Sequence, residues 1–504
     1  MFRRFSFALA GLCAGALVAG DDWTQFRGPS ADNIAKGPPA PGEWSADKNI
    51  KWKASLPGTG WSAPVVVGDH VFITSAYSEK ETKPKPMGGG GMGGGRGGFG
   101  QPGGFPGGPP GGGPPGGGPP NQQKGDAKDT PKGEQKGGQK GGRPGGFGGG
   151  RGGFGGGMMG KGGPPPNMVY QWQVFCLDKN TGEVVWKRQA AEKKPTIAKH
   201  GTNTYASETP VTDGERLYVY FGMTGLYCYS LKGEPIWNKD LGSYPMVAGW
   251  GTGSSPVLLG DRLYVQCDNE EKSFLVCLDK KTGEELWRKP REERSNWSTP
   301  YVWKNKVRTE LVALGSKRVR SYNPETGDVL WEMTGLDSGS MSSPASDGDA
   351  IFFGISGPGS NSPFFAVKAG ASGDISLKED ETSNAYVLWK KTGSGSRGPS
   401  PLLLDGRVYV LRNGTLTCLD AKTGKQIYDE RLPNARGFTT SPWASDGRIY
   451  CLDEDGTCFV VKAGPKFEIV GKNKLGEMFW SSPALSDGAI YLRGVDTLYC
   501  IKQS

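Results

Sequence analysis

Few side chains in this sequence could carry out acid–base or metal chemistry. Histidine occurs only at His70 and His200, which excludes a zinc site built on several histidines. The sequence contains no Cys-x-x-Cys-His motif for covalent haem, no Gly-x-Ser-x-Gly nucleophile motif and no phosphate-binding loop that ends in Gly-Lys-Ser/Thr. The remaining candidates are aspartates and tryptophans that recur at a regular spacing.

Three aspartates stand three residues before the threonine of a Thr-Gly pair: Asp178, Asp279 and Asp420. They could bind Ca²⁺, because carboxylate oxygens are preferred ligands of this ion. An aspartate ahead of a turn can also accept backbone N–H groups in an Asx turn. We predict this structural role, since the residues sit just before the turn.

The aspartates belong to a longer repeat. Each copy opens with Ser/Thr-Pro or Ser-x-Pro, passes an Asp-Gly or Gly-Asp turn and a Tyr- and Val-rich segment, and closes on the Thr-Gly turn and an aromatic strand. Four short strands per copy, at a spacing that is mostly 41 to 46 residues, predict an all-β fold, an eight-bladed β-propeller. The prolines that open the copies are Pro64, Pro210, Pro256, Pro300, Pro344, Pro401, Pro442 and Pro483.

Asp-Gly pairs in the repeat predict tight hairpins. Both central residues of a type I′ turn need positive φ, which this pair adopts readily. We expect such turns at Asp213-Gly214, Asp347-Gly348, Asp405-Gly406, Asp446-Gly447 and Asp487-Gly488.

The last blade lacks an outer strand. An aromatic residue closes blades one to six, and the segment from Lys466 to Val470 is a degenerate equivalent in blade seven. After Ile501 nothing remains for blade eight, whereas Ile50–Leu56 has the composition of an outer strand. We predict that this N-terminal strand closes the propeller, which would span residues 48–504 and leave no exposed edge. The aromatic residues of blades one to six are Trp186, Trp237, Trp287, Trp331, Trp389 and Tyr428.

The phrase Ala/Cys-x-Asp-x-x-Thr-Gly-x-x-x-Trp resembles the repeat of pyrroloquinoline-quinone (PQQ) propellers, which quinoprotein dehydrogenases share with BamB-like outer-membrane assembly proteins. Trp23–Pro29, Leu56–Ser62 and Phe221-Gly222 are similar to segments of an exported, planctomycete-type BamB-like group. The resemblance implies that each repeat tryptophan docks on a glycine turn of an adjacent blade. The implied structural residues are Trp52, Trp186, Trp237, Trp287, Trp331, Trp389, Gly182, Gly283, Gly327 and Gly424.

The resemblance leaves two functional classes. A PQQ-dependent oxidoreductase would stack PQQ on a tryptophan, such as Trp250 or Trp297, beside a Ca²⁺ ion and a basic aspartate. Its alcohol-oxidising members carry an adjacent Cys-Cys disulfide, which this chain lacks, and long loops where this chain has short ones. We therefore expect no cofactor and a non-catalytic binding or scaffold protein; PQQ with calcium belongs to the alternative.

A binding function would use the connections between blades, which should cluster on one face around the channel. Exposed Trp and Arg are enriched in interface hot spots, although several of these residues could instead plug the channel. The expected partner is an envelope protein or polymer, with a polysaccharide-binding propeller as a further alternative, and the chain is expected to be a monomer. The candidate face residues are Trp61, His200, Asn203, Trp250, Trp297, Arg397, Arg436, Phe438 and Trp480.

The N-terminus predicts export. Residues 1–20 combine Arg3-Arg4, an apolar run and a small-residue end, which are typical of a signal peptide. Cys13 follows Leu12, which is not small, so we expect no lipid anchor. Residues 21–47 are expected to form an extended segment. No later stretch is apolar enough to span a membrane, and the expected location is the periplasm or cell envelope.

A low-complexity Gly/Pro/Lys-rich insert, residues 78–168, interrupts blade one. Its composition predicts disorder. The stretch from residue 87 to 166 carries six of the nine net positive charges and the signal peptide two, so the propeller is nearly neutral. Arg-Gly-Gly-Phe at Arg96 and Arg151 is typical of single-strand nucleic-acid binding, which is not expected of an exported protein. Contact with anionic envelope polymers or lipid headgroups and a plain linker remain open.

Eight cysteines follow the signal peptide. Five of them occupy equivalent positions in different blades, too far apart for a disulfide, and are expected to be small buried hydrophobes. Cys451 with Cys458, and Cys267 with Cys277, could pair within a blade. The five equivalent residues are Cys176, Cys228, Cys277, Cys418 and Cys500.

Overall fold

The computed structural model describes residues 21–85, 163–336, 338–355, 362–396 and 398–503. The predicted signal peptide and most of the predicted insert, residues 86–162, lie outside the described residues. The described chain forms 33 strands in eight sheets, which confirms the predicted eight-bladed β-propeller. Its one short 3₁₀-helix within these residues is Val247–Gly249.

The first four blades follow the chain order from the inner to the outer strand. Blade one contains β2 Val65–Val67, β3 His70–Tyr77, β4 Tyr170–Asp178 and β5 Val184–Lys193. Blade two contains β6 Val211–Thr212, β7 Arg216–Phe221, β8 Gly225–Ser230 and β9 Pro235–Lys239. Blade three contains β10 Val257–Leu259, β11 Arg262–Cys267, β12 Phe274–Asp279 and β13 Glu285–Pro290. Blade four contains β14 Tyr301–Lys304, β15 Thr309–Leu314, β16 Val319–Tyr322 and β17 Val329–Met333.

The remaining blades repeat this order. Blade five contains β18 Ala345–Ser346, β19 Ala350–Gly354, β20 Phe364–Lys368 and β22 Val387–Lys391. Blade six contains β23 Leu402–Leu404, β24 Arg407–Arg412, β25 Thr415–Asp420 and β26 Gln426–Arg431. Blade seven contains β27 Trp443–Ser445, β28 Arg448–Leu452, β29 Thr457–Lys462 and β30 Ile469–Lys474. Blade eight contains β31 Ala484–Ser486, β32 Ala489–Arg493, β33 Thr497–Lys502 and, as its outer strand, β1 Ile50–Ser55.

The N-terminal strand closes the propeller as predicted. β1 runs antiparallel to β33, and its Trp52 lies opposite Cys500, the place that Trp186 takes opposite Cys176 in blade one. Blade eight is therefore built from both ends of the propeller, and β33 is not left as an edge.

Hydroxyl groups join the blades around the channel. The residue before each repeat proline donates its backbone N–H to the hydroxyl of the equivalent residue in the next blade, at 2.9 to 3.2 Å. This hydroxyl ring explains why the repeat opens with Ser/Thr before proline. It is interrupted where blade eight meets blade one, because Ala63 has no hydroxyl. The ring residues are Ala63, Thr209, Ser255, Thr299, Ser343, Ser400, Ser441 and Ser482.

The Asp-Gly turns divide into two kinds. Asp405, Asp446 and Asp487 have positive φ together with the following glycine, as a type I′ turn requires. The prediction is wrong for Asp213 and Asp347, because one more residue separates the strands there. In both, the aspartate Oδ1 accepts the two N–H groups that end the loop, at 2.8 to 3.0 Å.

The aspartates before the Thr-Gly pairs form Asx turns. Oδ1 of Asp178 accepts the N–H groups of Asn180 and Thr181, both at 2.8 Å. Asp279 accepts those of Lys281 and Thr282 in the same way. The N–H groups of Thr181 and Asn180 lower the pKa of Asp178, because they stabilise the ionised carboxylate.

Five of the six implied repeat tryptophans lie on a glycine of the following blade. Trp52 illustrates the contact: its indole N–H donates to Lys179 O at 2.9 Å, and a Cβ on Gly182 would lie 2.5 Å from the indole. Only glycine therefore fits beneath the ring, and each of these glycines also has positive φ. The other pairs are Trp186 on Gly233, Trp237 on Gly283, Trp287 on Gly327 and Trp389 on Gly424.

Trp331 departs from this pattern. Its indole N–H donates to the buried carboxylate of Glu310 at 2.7 Å, within its own blade. Blade five has no Thr-Gly turn to receive it; instead the connection after β20 forms a short strand, β21 Gly373–Asp374, that pairs in parallel with β17 opposite Trp331. Blade four thus gains a fifth strand where the repeat turn is missing.

Blade seven borrows its aromatic residue from the N-terminal segment. The outer strand runs from Ile469 to Lys474, farther along than the segment predicted from the sequence, and places Gly471 where other blades carry tryptophan. Trp44 fills this space. Its ring stacks on that of Tyr450 with the ring centroids 6.1 Å apart, and Asn473 Oδ1 accepts its backbone N–H at 2.9 Å. The repeat is therefore complete in space although degenerate in sequence.

The same segment reaches the channel with Arg27, which is only 1% exposed. Its guanidinium donates to Pro344 O at 2.6 Å and Pro401 O at 2.9 Å, carbonyls of blades five and six. Asn33 donates to Pro442 O of blade seven at 2.6 Å. The N-terminal segment thus links three blades.

All eight described cysteines are free. Cys451 lies opposite Phe459 and Cys458 opposite Leu452, so the two thiols occupy opposite faces of the sheet, and Cys267 and Cys277 are separated in the same way. Neither candidate pairing within a blade is formed. Burial raises the pKa of these thiols, for example that of Cys500 to about 11, which suits their role as small core residues.

Within the described part of the chain, we find no helix with the length and apolar character that crossing a membrane requires.

Candidate binding face

The connections between blades gather eight of the nine candidate residues on what we call the connection face. Because each outer strand returns to the next inner strand at the same end of the blades, these connections surround one mouth of the channel. Arg397 lies outside the described residues. The other candidates do not form one uniform surface: they divide into an exposed aromatic arc, an ion-paired arginine and a buried phenylalanine.

The first part of the arc is a stacked pair. The His200 imidazole lies on the Trp250 indole with ring centroids 4.4 Å apart and planes 11° from parallel. Nδ1 of His200 is 2.7 Å from the Thr202 hydroxyl. Burial lowers the pKa of His200, and the nearby Lys199 lowers it further, which favours the neutral imidazole for stacking.

Asn203 fixes the loop that carries Trp250. Its amide donates to Trp250 O at 2.7 Å, and its Oδ1 accepts the Ser207 hydroxyl at 2.7 Å and the Thr204 N–H at 2.8 Å. Lys199 Nζ donates to Asn203 O at 3.1 Å and pairs with Glu81 at 3.2 Å. Asn203 is therefore a positioning residue for the stacked pair.

Two further tryptophans extend the arc. The Trp297 indole N–H donates to Gly251 O at 2.6 Å, which joins it to the loop of Trp250. On the other side, Trp61 donates to Thr202 O at 2.8 Å and packs on Trp480 with ring centroids 5.9 Å apart. Trp250, Trp297 and Trp480 are partly exposed, whereas Trp61 is 7% exposed and supports Trp480 from below.

Two candidates have other roles than the sequence indicated. Phe438 is 9% exposed and packs in the core between blades six and seven. Arg436 is exposed, and its Nε pairs with Asp455 Oδ2 at 3.3 Å. Phe438 is therefore not accessible on the connection face, whereas Arg436 is accessible there.

Sequence reasoning missed buried carboxylates of this face, among them Glu208 and Glu454. Glu208 is fully buried beside Gly222 and Thr252, and burial raises its pKa, although a hydrogen bond from the Thr252 side chain opposes this. Glu454 is 9% exposed, and its Oε1 accepts the Thr439 hydroxyl at 2.7 Å. The signal was present for Glu208, since an acidic residue stands two positions before the repeat proline, where the seven other blades carry Ser, Thr or Pro. Glu454 lies in a turn whose acidic composition is typical of solvent exposure.

The polar side chains beside the stacked pair are engaged within the protein. The amide of Asn203 is engaged by backbone and hydroxyl groups of its own loop, and the carboxylate of Glu208 is covered and hydrogen-bonded internally. In the described ranges no three His, Cys, Asp or Glu side chains are grouped so that they could hold a metal ion.

In this propeller, a tryptophan of one blade packs on a glycine turn of the next blade, and an N-terminal strand closes the ring. These features define a β-propeller of the PQQ-repeat class. The family model described as outer membrane protein assembly factor BamB matches residues 171–355 and 378–464. This match covers more than half of the chain, and the chain belongs to that family.

Solved structures share the fold at low identity. A quinohemoprotein alcohol dehydrogenase from Comamonas testosteroni superposes with a TM-score of 0.51 and 11% identity, covering 96% of this chain and 81% of that one. Quinohemoprotein alcohol dehydrogenase ADHIIG from Pseudomonas putida HK5 gives 0.51 and 10%, covering 95% and 80%. BamB from Moraxella catarrhalis gives 0.48 and 12%, covering 65% and 90%. The two dehydrogenase likenesses show the fold alone. No curated protein matches the chain.

Proposed function

We propose that this chain is an exported, non-catalytic propeller that binds a protein of the cell envelope through its connection face. The proposal rests on one observation, the partly exposed arc of Trp480, Trp250, His200 and Trp297 on a rigid scaffold. Large aromatic side chains that are already ordered lose little conformational entropy on binding and are common interface anchors. Membership in the BamB family supports an envelope partner.

The scaffold holds these side chains without further folding. The indole N–H of Trp297, the backbone oxygen of Trp250 and the Nδ1 atom of His200 all have partners within the protein. A partner would therefore contact ring faces and edges and would displace little bound water. Binding in this way requires no chemical step.

The direct test is site-specific photo-crosslinking in the intact envelope. A photoreactive phenylalanine analogue replaces Trp250 or Trp480, and in the control it replaces Lys281 or Glu325, exposed residues of the turns beside the repeat glycines. We expect a discrete adduct of higher mass from the connection-face positions only. Adducts of equal yield from the turn positions would contradict the proposal.

A second measurement addresses the quinoprotein alternative. Native mass spectrometry of the mature protein with added Ca²⁺ and PQQ, together with a dye-linked alcohol and sugar oxidation assay, should show neither stoichiometric PQQ nor turnover. Stoichiometric PQQ with turnover would replace the binding function by an oxidoreductase.

A further inference from the structure

The carboxylate of Glu454 is held at the inner end of the connection face by its own backbone. Glu454 N–H donates to Gly437 O at 2.9 Å, and Glu454 O accepts the Phe479 N–H at 3.1 Å. These bonds anchor it between the connections that lead into blades seven and eight. The side chain thus lies beside Trp480, whose indole neighbours the same carboxylate.

The buried carboxylate of Glu454 accepts a hydrogen bond from the uncharged hydroxyl of Thr439. Among the described residues, no basic side chain lies within salt-bridge distance of it. The nearby cations are engaged elsewhere, since Arg436 pairs with Asp455 at 3.3 Å and Lys474 Nζ donates to Asp455 O at 2.5 Å. Burial raises the pKa of Glu454; the side chains of Thr439 and Trp480 oppose this through hydrogen bonding, and the neighbouring Asp455 and Asp453 add to it. A cation supplied from outside would relieve both effects.

The Trp480–Trp61 pair lies beside this carboxylate and offers an aromatic surface to which a cation could bind. The two indoles, from the connections into blades eight and one, lie 5.9 Å apart at 32°. Trp480 is partly exposed, and an indole face attracts a lysine or arginine head group, more strongly where water is excluded. Carboxylate and ring would act on the same head group.

The surroundings favour positive charge as well. Acidic side chains outnumber basic ones in the turns of blades seven and eight that reach this face, and Glu477 uses its carboxylate to accept the Tyr499 hydroxyl and the Asp496 N–H. The acidic residues are Asp453, Glu454, Asp455, Glu477 and Asp496, and the basic ones near them are Arg436, Lys474, Lys83 and Arg493.

We propose that Glu454 and the Trp480–Trp61 pair form a receptor for a lysine or arginine side chain of the partner protein. This inference rests on the proposed function. It states that the partner protein presents a cationic side chain to the connection face at blades seven, eight and one. His200, Trp250 and Trp297 would contact the apolar part of the same partner.

The test uses ¹⁹F NMR of the mature protein labelled with 5-fluorotryptophan, with the Trp480 signal assigned through Trp480→Phe. The probe is an end-capped octapeptide of alternating lysine and glycine; the matched controls carry Nε-acetyl-lysine or arginine instead of lysine. We expect the lysine and arginine peptides to shift the Trp480 signal, and the acetylated peptide to bind at least about tenfold more weakly because its charge is gone.

Glu454→Gln should weaken the lysine peptide about tenfold. Glu325→Gln, which removes one charge from an exposed turn, should not change its affinity. Thermal melting of both variants shows whether they are folded, and Asp455→Asn serves as the second variant should Glu454→Gln unfold. No shift with any peptide, equal binding of the acetylated peptide, or unchanged binding by folded Glu454→Gln would overturn the inference. Connection-face crosslinks combined with any of these results would leave the proposed function in place and remove the cation receptor alone.

Discussion

The backbone N–H groups around the channel are satisfied by hydroxyls of neighbouring blades, and a single methyl group interrupts this ring. At the seam, where blade eight meets blade one, the backbone N–H of Ser482 has no hydroxyl acceptor in the ring because residue 63 is alanine. Other contacts cross there: Ser481 Oγ donates to Ser62 O at 3.1 Å, and Arg493 donates to Ser62 Oγ at 3.2 Å. Burial lowers the pKa of Arg493 to about 9, which marks the cost of placing a cation in the seam.

Ala63→Ser should complete the ring. The serine hydroxyl would accept the Ser482 N–H as the hydroxyl of Ser343 accepts that of Thr299 at 3.0 Å. We expect the free energy of unfolding in urea to increase by about 1 kcal/mol. Ser343→Ala, which removes one existing bond, should lower it by about the same amount. A destabilised Ala63→Ser protein would show that the seam has no room for the hydroxyl.

Glu208 should make the stability fall as pH rises. Its pKa is raised in the folded protein, so the folded state holds the proton above pH 4.5, where the unfolded chain releases it. The stabilisation is therefore complete at low pH and is lost as pH rises from 4.5 through the folded pKa. Glu208→Gln keeps a neutral side chain, so the variant should gain stability relative to the natural protein over that range.

The check is the difference in unfolding free energy between the two proteins at several pH values from 4 to 8. It should be near zero at pH 4 and grow as pH rises. Glu325→Gln controls for the loss of one charge from the surface. A difference that stays constant with pH would mean that Glu208 does not titrate in this range.

At the scale of elements, the aromatic side chain that packs against an outer strand can come from a distant part of the chain. Trp44 belongs to the N-terminal segment, yet it occupies the aromatic position of blade seven. Trp44→Ala should destabilise the protein by about 3–5 kcal/mol, because it opens a cavity against Tyr450. Trp480→Ala, the same change at a partly exposed position, should cost much less. Urea denaturation measures both.

The sequence predicted these elements wherever the chain itself carries the repeat. Blade number, closure by β1 and the Asx turns follow from local patterns, since Asp, Gly and Pro act on the backbone within a few residues. The position of Trp44, the pairing of β21 with β17 and the burial of Phe438 depend on residues far apart in the chain. The burial of Glu454 without a basic partner among the described residues could not be foreseen either, because it depends on three neighbouring connections.

At the scale of the molecule, the N-terminal segment contacts several blades that are each formed by a different part of the chain. Arg27 binds carbonyls of blades five and six, Asn33 reaches blade seven, Trp44 completes blade seven and β1 completes blade eight. The repeat array alone would end at β33 with an unpaired edge and an incomplete seventh blade. The two ends of the propeller should therefore unfold together.

Deleting residues 48–56 should abolish this cooperativity. Without β1 the edge of β33 is exposed, and Gly182 loses the indole of Trp52, so we expect aggregation or a broad melting transition. Lys53→Ala is the matched control, because it removes an exposed side chain of the same strand and leaves the backbone pairing intact. Differential scanning calorimetry with light scattering distinguishes the two proteins. If the deletion variant melts in one sharp transition at an unchanged temperature, β1 pairs with β33 without stabilising the ring, and the joint unfolding of the two ends must be rejected with it.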